Sequence, residues 1–150
     1  MRKIKANLFS ILFLIFLVNC AQFKLKEIPK PPPFELESVI LCNKIEMKDN
    51  WAYPKEEKKV FIKGEDKNII SFVSFKHMKG QHLLQWKWYN PKKEIYRETE
   101  EIKIGEGNKY FEKYIAWDRI FLFEEKENGI WTTAIFLDGK LLETVEFEIK

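Results

Sequence analysis

From Phe34 to the C-terminus the apolar residues fall in short runs rich in Val, Ile, Phe, Tyr and Trp, separated by turn-forming clusters. Alternation and β-branched or aromatic enrichment mark half-buried strands. The segments so marked are Glu37–Ile45, Val60–Ile62, Ile69–His77, Leu83–Tyr89, Ile95–Ile104, Tyr114–Phe123, Ile130–Leu137 and Leu141–Ile149. The breaks are Gly64-Glu65-Asp66, Lys79-Gly80, Asn90-Pro91, Gly105-Glu106-Gly107-Asn108, Asn128-Gly129 and Asp138-Gly139. No window carries ten residues of amphipathic helical period, and Tyr96 and Thr99 suit Glu94–Glu101 to a strand. Seven to eight short strands in one domain predict an all-β, two-sheet antiparallel sandwich, with a small β-barrel as the alternative.

The last two segments make a sharper prediction. A two-residue Asp138-Gly139 loop would mix apolar and charged residues on both faces of the hairpin. A three-residue loop, Leu137-Asp138-Gly139, with Gly139 left-handed in a bulge, pairs odd positions with odd. Trp131, Thr133 and Ile135 then share a face with Leu141, Val145, Phe147 and Ile149. A slip of one residue reverses every side chain, so burial favours this second register. Trp131 is therefore expected in the core and Gly139 at positive φ.

The N-terminus follows a different pattern. Arg2, Lys3 and Lys5 precede an apolar run from Leu8 to Val18, interrupted by Ser10. A bilayer-spanning helix needs about 20 apolar residues, whereas a run this short suits the h-region of a secretory signal. It ends in Leu17-Val18-Asn19-Cys20-Ala21. This resembles the signal peptide of bacterial lipoproteins, and Asn19 before the cysteine is similar to the permissive lipoboxes of spirochaetes. The resemblance implies lipidation of Cys20, cleavage before it, and acylation of the new amine. It also implies a membrane partner reached through the lipid anchor, and a place in the bacterial cell envelope at the outer membrane. Two or three acyl chains hold a protein far more firmly than one, since each buried methylene is worth about 0.8 kcal/mol. Four of the six prolines fall within Pro29–Pro33, so the stretch after Cys20 is expected to be a stiff spacer of up to roughly 40 Å at polyproline II rise. The domain layout is thus signal peptide 1–19, lipidated cysteine and tether 20–33, and β domain 34–150.

Charge and cysteine content narrow the partners. The net charge is +3, but three of the 26 basic residues lie in the first five positions, leaving 23 against 23 acids. A neutral body lacks the electrostatic footprint of nucleic-acid binding, so no nucleic-acid partner is expected. Cleavage and acylation would leave Cys42 without an intramolecular partner. Within Val39-Ile40-Leu41-Cys42 it reads as a small buried hydrophobe.

The strand His82-Leu-Leu-Gln-Trp86-Lys-Trp88-Tyr-Asn-Pro91 puts two tryptophans on one face. Near the C-terminus Gly129-Ile-Trp131 leads through Ile135 and Asp138-Gly139 to Leu142 and Phe147-Glu-Ile149. These spacings, from Gly80 to Lys150, resemble small bacterial immunoglobulin-like modules of the domain-of-unknown-function 2914 kind. The resemblance implies an immunoglobulin-like sandwich and a non-catalytic accessory role.

Candidate chemistry is sparse. His77 and His82 flank Lys79-Gly80 and would face each other across a hairpin, but no third metal ligand is indicated beside them. Ser38, Ser71 and Ser74 lie in or beside strands, and none occupies a nucleophile-elbow turn. Gly105-Glu106-Gly107 lacks the third glycine and following helix of a phosphate loop. Lys76, Lys79, Lys87, Lys92 and Lys93 surround Trp86, Trp88 and Tyr89, yet Lys87 alternates with the tryptophans and points to the opposite face. Trp51-Ala52-Tyr53-Pro54 stands apart as a loop-like segment, either a plug between sheets or an exposed contact patch. Trp51 and Tyr53 are accordingly the candidate binding loop. The resulting expectation is a lipid-anchored, non-catalytic binding or structural module with a protein partner and no catalytic residue, metal or cofactor. The alternative is a small extracytoplasmic enzyme or inhibitor with a site built from loops.

Overall fold

The computed structural model describes residues 34–150. The signal peptide, Cys20 and the Pro-rich tether lie outside the described residues. Eight strands follow in order: β1 Glu35–Lys48, β2 Trp51–Glu57, β3 Val60–Phe61, β4 Asn68–Tyr89, β5 Ile95–Glu98, β6 Ile102–Phe121, β7 Gly129–Leu137 and β8 Lys140–Ile149. No helix occurs among them. All eight join one hydrogen-bonded sheet ordered β2-β1-β4-β7-β8-β3, with β5 and β6 also paired to β4.

The sheet curls because β4 runs around its corner. Its first half, Asn68 to Lys79, lies between β1 and the second half of β6. Its second half pairs with β7 on one side and with β5 and the start of β6 on the other. The two halves face each other closely enough for the Trp86 indole N–H to donate to Ser71 Oγ at 3.1 Å. The hydrogen bonding is thus continuous where the sequence suggested two separate sheets. The segments expected as Ile69–His77 and Leu83–Tyr89 are one strand, and Tyr114–Phe123 joins Ile102–Ile104 in another.

Two of the glycines read as turn formers, Gly80 and Gly105, are corner residues instead. Gly105 has φ +72°, and a Cβ there would stand 2.1 Å from the Gly80 carbonyl oxygen. Only two glycines allow the backbones of β4 and β6 to approach so closely while both bend. Lys79 pairs with Tyr110 and Gln81 with Gly105, so residues 106–109 bulge out of β6 opposite Gly80.

Within the curl, Trp86, Trp88, Trp131, Phe61, Phe75 and Phe147 are buried together with Ile69, Val73, Leu84 and Ile135. Alternation explains the set. Leu84, Trp86 and Trp88 point inward while Gln85, Lys87 and Tyr89 remain partly exposed. Most polar groups drawn inside find partners, Asn68 Oδ1 and Thr133 Oγ1 excepted. Asp66 receives Lys58 Nζ at 2.7 Å, Asn43 Nδ2 at 2.7 Å and the Ile62 N–H at 2.9 Å, which ties the short β3 to β1. Burial pushes the Asp66 carboxyl up, but Lys58 and these N–H donors outweigh it and hold it below the ordinary carboxylate value.

The C-terminal hairpin corrects one expectation and meets another. Leu137 pairs with Lys140, so the loop has two residues, and Asp138 and Gly139 have φ of 51° and 72°. That is the handedness of a type I′ turn, not a three-residue loop. The odd-to-odd register still appears, because Phe136 pairs with Leu141 but Ile135 with Glu143, leaving Leu142 as the extra residue of a bulge. Trp131 opposes Phe147 and is 1% exposed. The bulge exchanges two leucines: Leu142 packs against the core and Leu141 is 56% exposed.

Candidate functional site

Trp51 and Tyr53 belong to a strand, not a loop. Asp49 and Asn50 both adopt positive φ, 51° and 64°, and Lys48 pairs with Trp51 across them. An Asp-Asn pair tolerates that left-handed conformation, so β1 and β2 form a tight two-residue hairpin. β2 has β1 as its neighbour in the sheet order, which is why Pro54, opposite Ile45, is accommodated. Ala52 is buried, while Trp51 and Tyr53, two apart, are 43% and 50% exposed on the same face. Of the two readings left open by the sequence, the exposed patch is the one observed.

The face they share is broader than β2. Trp51 and Tyr53 wall a cavity of about 460 Å³ whose lining includes Ile40, Phe72 and Ile115. Phe72 stacks on Trp117 at 6.3 Å between centroids and 8° between planes. Trp51 also borders a second cavity, about 660 Å³, with His77, Tyr110 and Phe111. Because Trp51 and Lys113 line both cavities, the two form one aromatic trough across β2, β1, β4 and β6. Several of its polar groups satisfy one another. Ser38 and Ser74 share a hydrogen bond at 2.8 Å, and His77 Nδ1 lies 2.6 Å from Tyr110 Oη. Glu37 meets Lys76 Nζ at 2.9 Å and Lys113 Nζ at 3.4 Å. The hydrogen bond from Lys76, joined by Ser74 and Lys113, lowers the Glu37 carboxyl to about 2.

The two histidines do not converge. His77 is engaged with Tyr110, whereas His82 is buried at the corner, with Nδ1 2.8 Å from Asp138 Oδ2 and Nε2 3.1 Å from the Lys79 carbonyl. Asp138 Oδ1 accepts the Leu83 N–H at 2.9 Å. Burial raises the Asp138 carboxyl, yet His82 and the Leu83 N–H bring it below its ordinary value. Among the described residues no group of three His, Cys, Asp or Glu side chains is placed to hold a metal ion. Ser71 is buried under Trp86. Cys42 is fully buried, and that burial raises its thiol pKa. Lys87 bonds Glu98 at 2.8 Å and covers the Phe136 ring, on the face away from the buried Trp86 and Trp88.

These features define an all-β protein with a curled eight-stranded sheet and an aromatic outer trough. Its backbone is similar to part of the alkylpurine DNA glycosylase AlkC of Pseudomonas fluorescens, solved bound to DNA containing an abasic site analogue. The TM-score is 0.52 at 9% identity, over 79% of this chain and 30% of that one. The chain therefore spans under a third of the glycosylase, and the likeness is one of fold. Lower similarity is found to an immunoglobulin-like protein of Pseudomonas aeruginosa, with TM-score 0.42 and 9% identity over 78% of this chain and 96% of that one. A family 123 glycoside hydrolase of Clostridium perfringens gives 0.33 and 9% over 75% and 27%. No protein-family model and no curated protein matches the chain.

Proposed function

We propose that this chain is a lipid-anchored envelope lipoprotein whose β domain is a non-catalytic binding module for a protein partner. The curled sheet is, at the finer level, a two-sheet immunoglobulin-like sandwich in which β4 and β6 serve both layers. Cys20 carries the lipid, and the Pro-rich tether holds the domain away from the membrane. The observation that supports binding most directly is the position of Trp51 and Tyr53. Large aromatics left in solvent above an apolar floor of Ile40, Phe72 and Ile115 gain more from a partner's surface than from water.

The test joins anchor and trough in one strain. A photo-crosslinking residue at Tyr53 is expected to capture a discrete protein adduct in intact cells, and one at Ile130, exposed on β7, is not. Cys20→Ala is expected to move the protein from the detergent phase to the aqueous phase. Equal aqueous partitioning of both forms sinks the anchor. A missing adduct at Tyr53, or the same adduct from both positions, sinks the trough as the docking face.

A further inference from the structure

We propose that the aromatic cage around Lys126 is a binding site for a methylated ammonium group, held shut in this structure by the lysine itself. Lys126 lies in the segment between β6 and β7 and is only 7% exposed. Its Nζ is 4.1 Å from the ring centroid of Tyr96, 5.8 Å from that of Phe123 and 5.9 Å from that of Trp131. It donates one hydrogen bond, to Tyr96 Oη. Three rings converging on one ammonium form the arrangement that recognises quaternary ammonium ligands.

The lysine's choice of partner is the informative point. Glu124, Glu125 and Glu127 surround it in sequence, all exposed, and Glu127 pairs with Lys92 at 2.7 Å. Among the described residues Lys126 makes no ion pair of its own. A buried ammonium without a carboxylate is costly unless its surroundings compensate. Here the compensation is π-electron density and one phenol oxygen. A primary ammonium has three N–H donors, and the cage supplies one hydrogen-bond acceptor. A methylated ammonium has fewer N–H groups to satisfy, or none, and offers methyl groups to the rings. The site thus suits such a ligand better than it suits its resident.

Access is available without unfolding. Beside the cage lies a cavity of about 310 Å³, bordered by Asn90, Glu125 and Glu127 as well as by the cage residues. The carboxylates at its rim match a cationic ligand. Tyr96 and Phe123 are 48% and 58% exposed, so the outer walls already meet solvent, and Trp131 forms the floor. Rotation of the Lys126 side chain out of the cage breaks no strand pairing.

The Trp131 indole N–H reports on the site because it donates to the Glu127 carbonyl at 2.9 Å. Its resonance in the ¹⁵N-labelled full chain is followed during titration with choline chloride, against sodium chloride at equal ionic strength. The expected result is a saturable shift confined to Trp131 among the five indoles. If the lysine occupies the cage about 90–99% of the time, Lys126→Ala should bind choline 10- to 100-fold more tightly. Tyr96→Ala should bind it at least tenfold more weakly. Lys126→Gln, which keeps most of the stem, serves where the alanine variant fails to fold. Phosphatidylcholine vesicles then distinguish sources: a shift with vesicles as well as choline indicates a lipid headgroup, and one with choline alone indicates a free solute. No saturable shift in a folded Lys126 variant, or the same shift with sodium chloride, overturns the proposal.

Discussion

Gly105→Ala measures how tightly the corner of the sheet is built. Gly107 provides the control, because its φ is +47° and an added Cβ would meet nothing within 4 Å. Gly107→Ala should therefore lose only the left-handed preference of glycine, about 1–2 kcal/mol. Gly105, at φ +72°, loses the same and more. Its new methyl would stand 2.1 Å from the Gly80 oxygen and 3.3 Å from the Gly80 carbonyl carbon. Both are backbone atoms, with no rotamer to escape into, so β4 and β6 must separate where Gln81 pairs with Gly105. Overpacking of this kind costs about 1–3 kcal/mol beyond the conformational penalty. The total for Gly105→Ala is about 2–5 kcal/mol, a large share of the 5–15 kcal/mol that usually stabilises a domain. Urea unfolding followed by tryptophan fluorescence reads the difference. With an m-value of about 1.5 kcal/mol/M, the midpoint of Gly105→Ala should fall roughly 0.7–2 M below that of Gly107→Ala. Midpoints within about 0.3 M of each other, at equal m, would show that the corner has slack and that the close approach does not govern it.

Acid should weaken the fold through carboxylates whose native pKa is depressed: Glu37, lowered to about 2, with Asp66 and Asp138 below their ordinary values. Such groups stabilise fully above the unfolded carboxylate pKa of about 4 and lose that contribution as pH falls through the folded value. The melting temperature should decline from about pH 5 toward pH 2, and less steeply in Glu37→Gln, whereas a flat profile contradicts the assignment. Cys42, fully buried with its thiol pKa raised, should react slowly with a thiol reagent in native protein carrying Cys20→Ser and rapidly in urea; fast native labelling contradicts its burial.

The strand content was legible because period-two alternation is a local property. Trp86 and Trp88 needed no knowledge of their partners to be placed on one face, opposite Lys87. The corner was not legible, because a glycine that ends a strand and a glycine that bends one carry the same local signal. Gly80 and Gly105 are distinguished by each other, 25 positions apart in sequence, through a contact that exists only once β4 and β6 pair. β2 did carry a signal: Asp49-Asn50 fits a two-residue hairpin turn, but Pro54 and the isolated aromatics masked the strand beyond it. The candidate sites share the corner's difficulty. Trp51 and Tyr53 stood out as residues, whereas Phe72, Tyr110 and Phe111 join them only through the order of strands. Likewise Tyr96, Phe123 and Trp131 come from β5, an interstrand segment and β7, and meet around Lys126 only after β4 has placed β5 and β7.

The C-terminal hairpin shows how a correct burial argument can carry the wrong local geometry. Burial required odd positions of β7 to oppose odd positions of β8, and a three-residue loop was the shortest device that delivers this. The observed turn has a second obligation. Asp138 Oδ1 accepts the Leu83 N–H, its Oδ2 meets the buried His82, and its own N–H donates to the Leu83 carbonyl at 2.8 Å. These three contacts fasten the hairpin tip to β4 beside the corner. The paired residues Leu137 and Lys140 leave Asp138 at the first position of a type I′ turn, where its side chain reaches back to that anchor. The register was then corrected farther along, by the Leu142 bulge, at the cost of exposing Leu141. Charge-assisted hydrogen bonds to a partly buried carboxylate are worth about 1.5–3 kcal/mol, comparable to full burial of one leucine side chain. The two demands were thus of similar weight, and the strand met both by separating in space the residues that satisfy them.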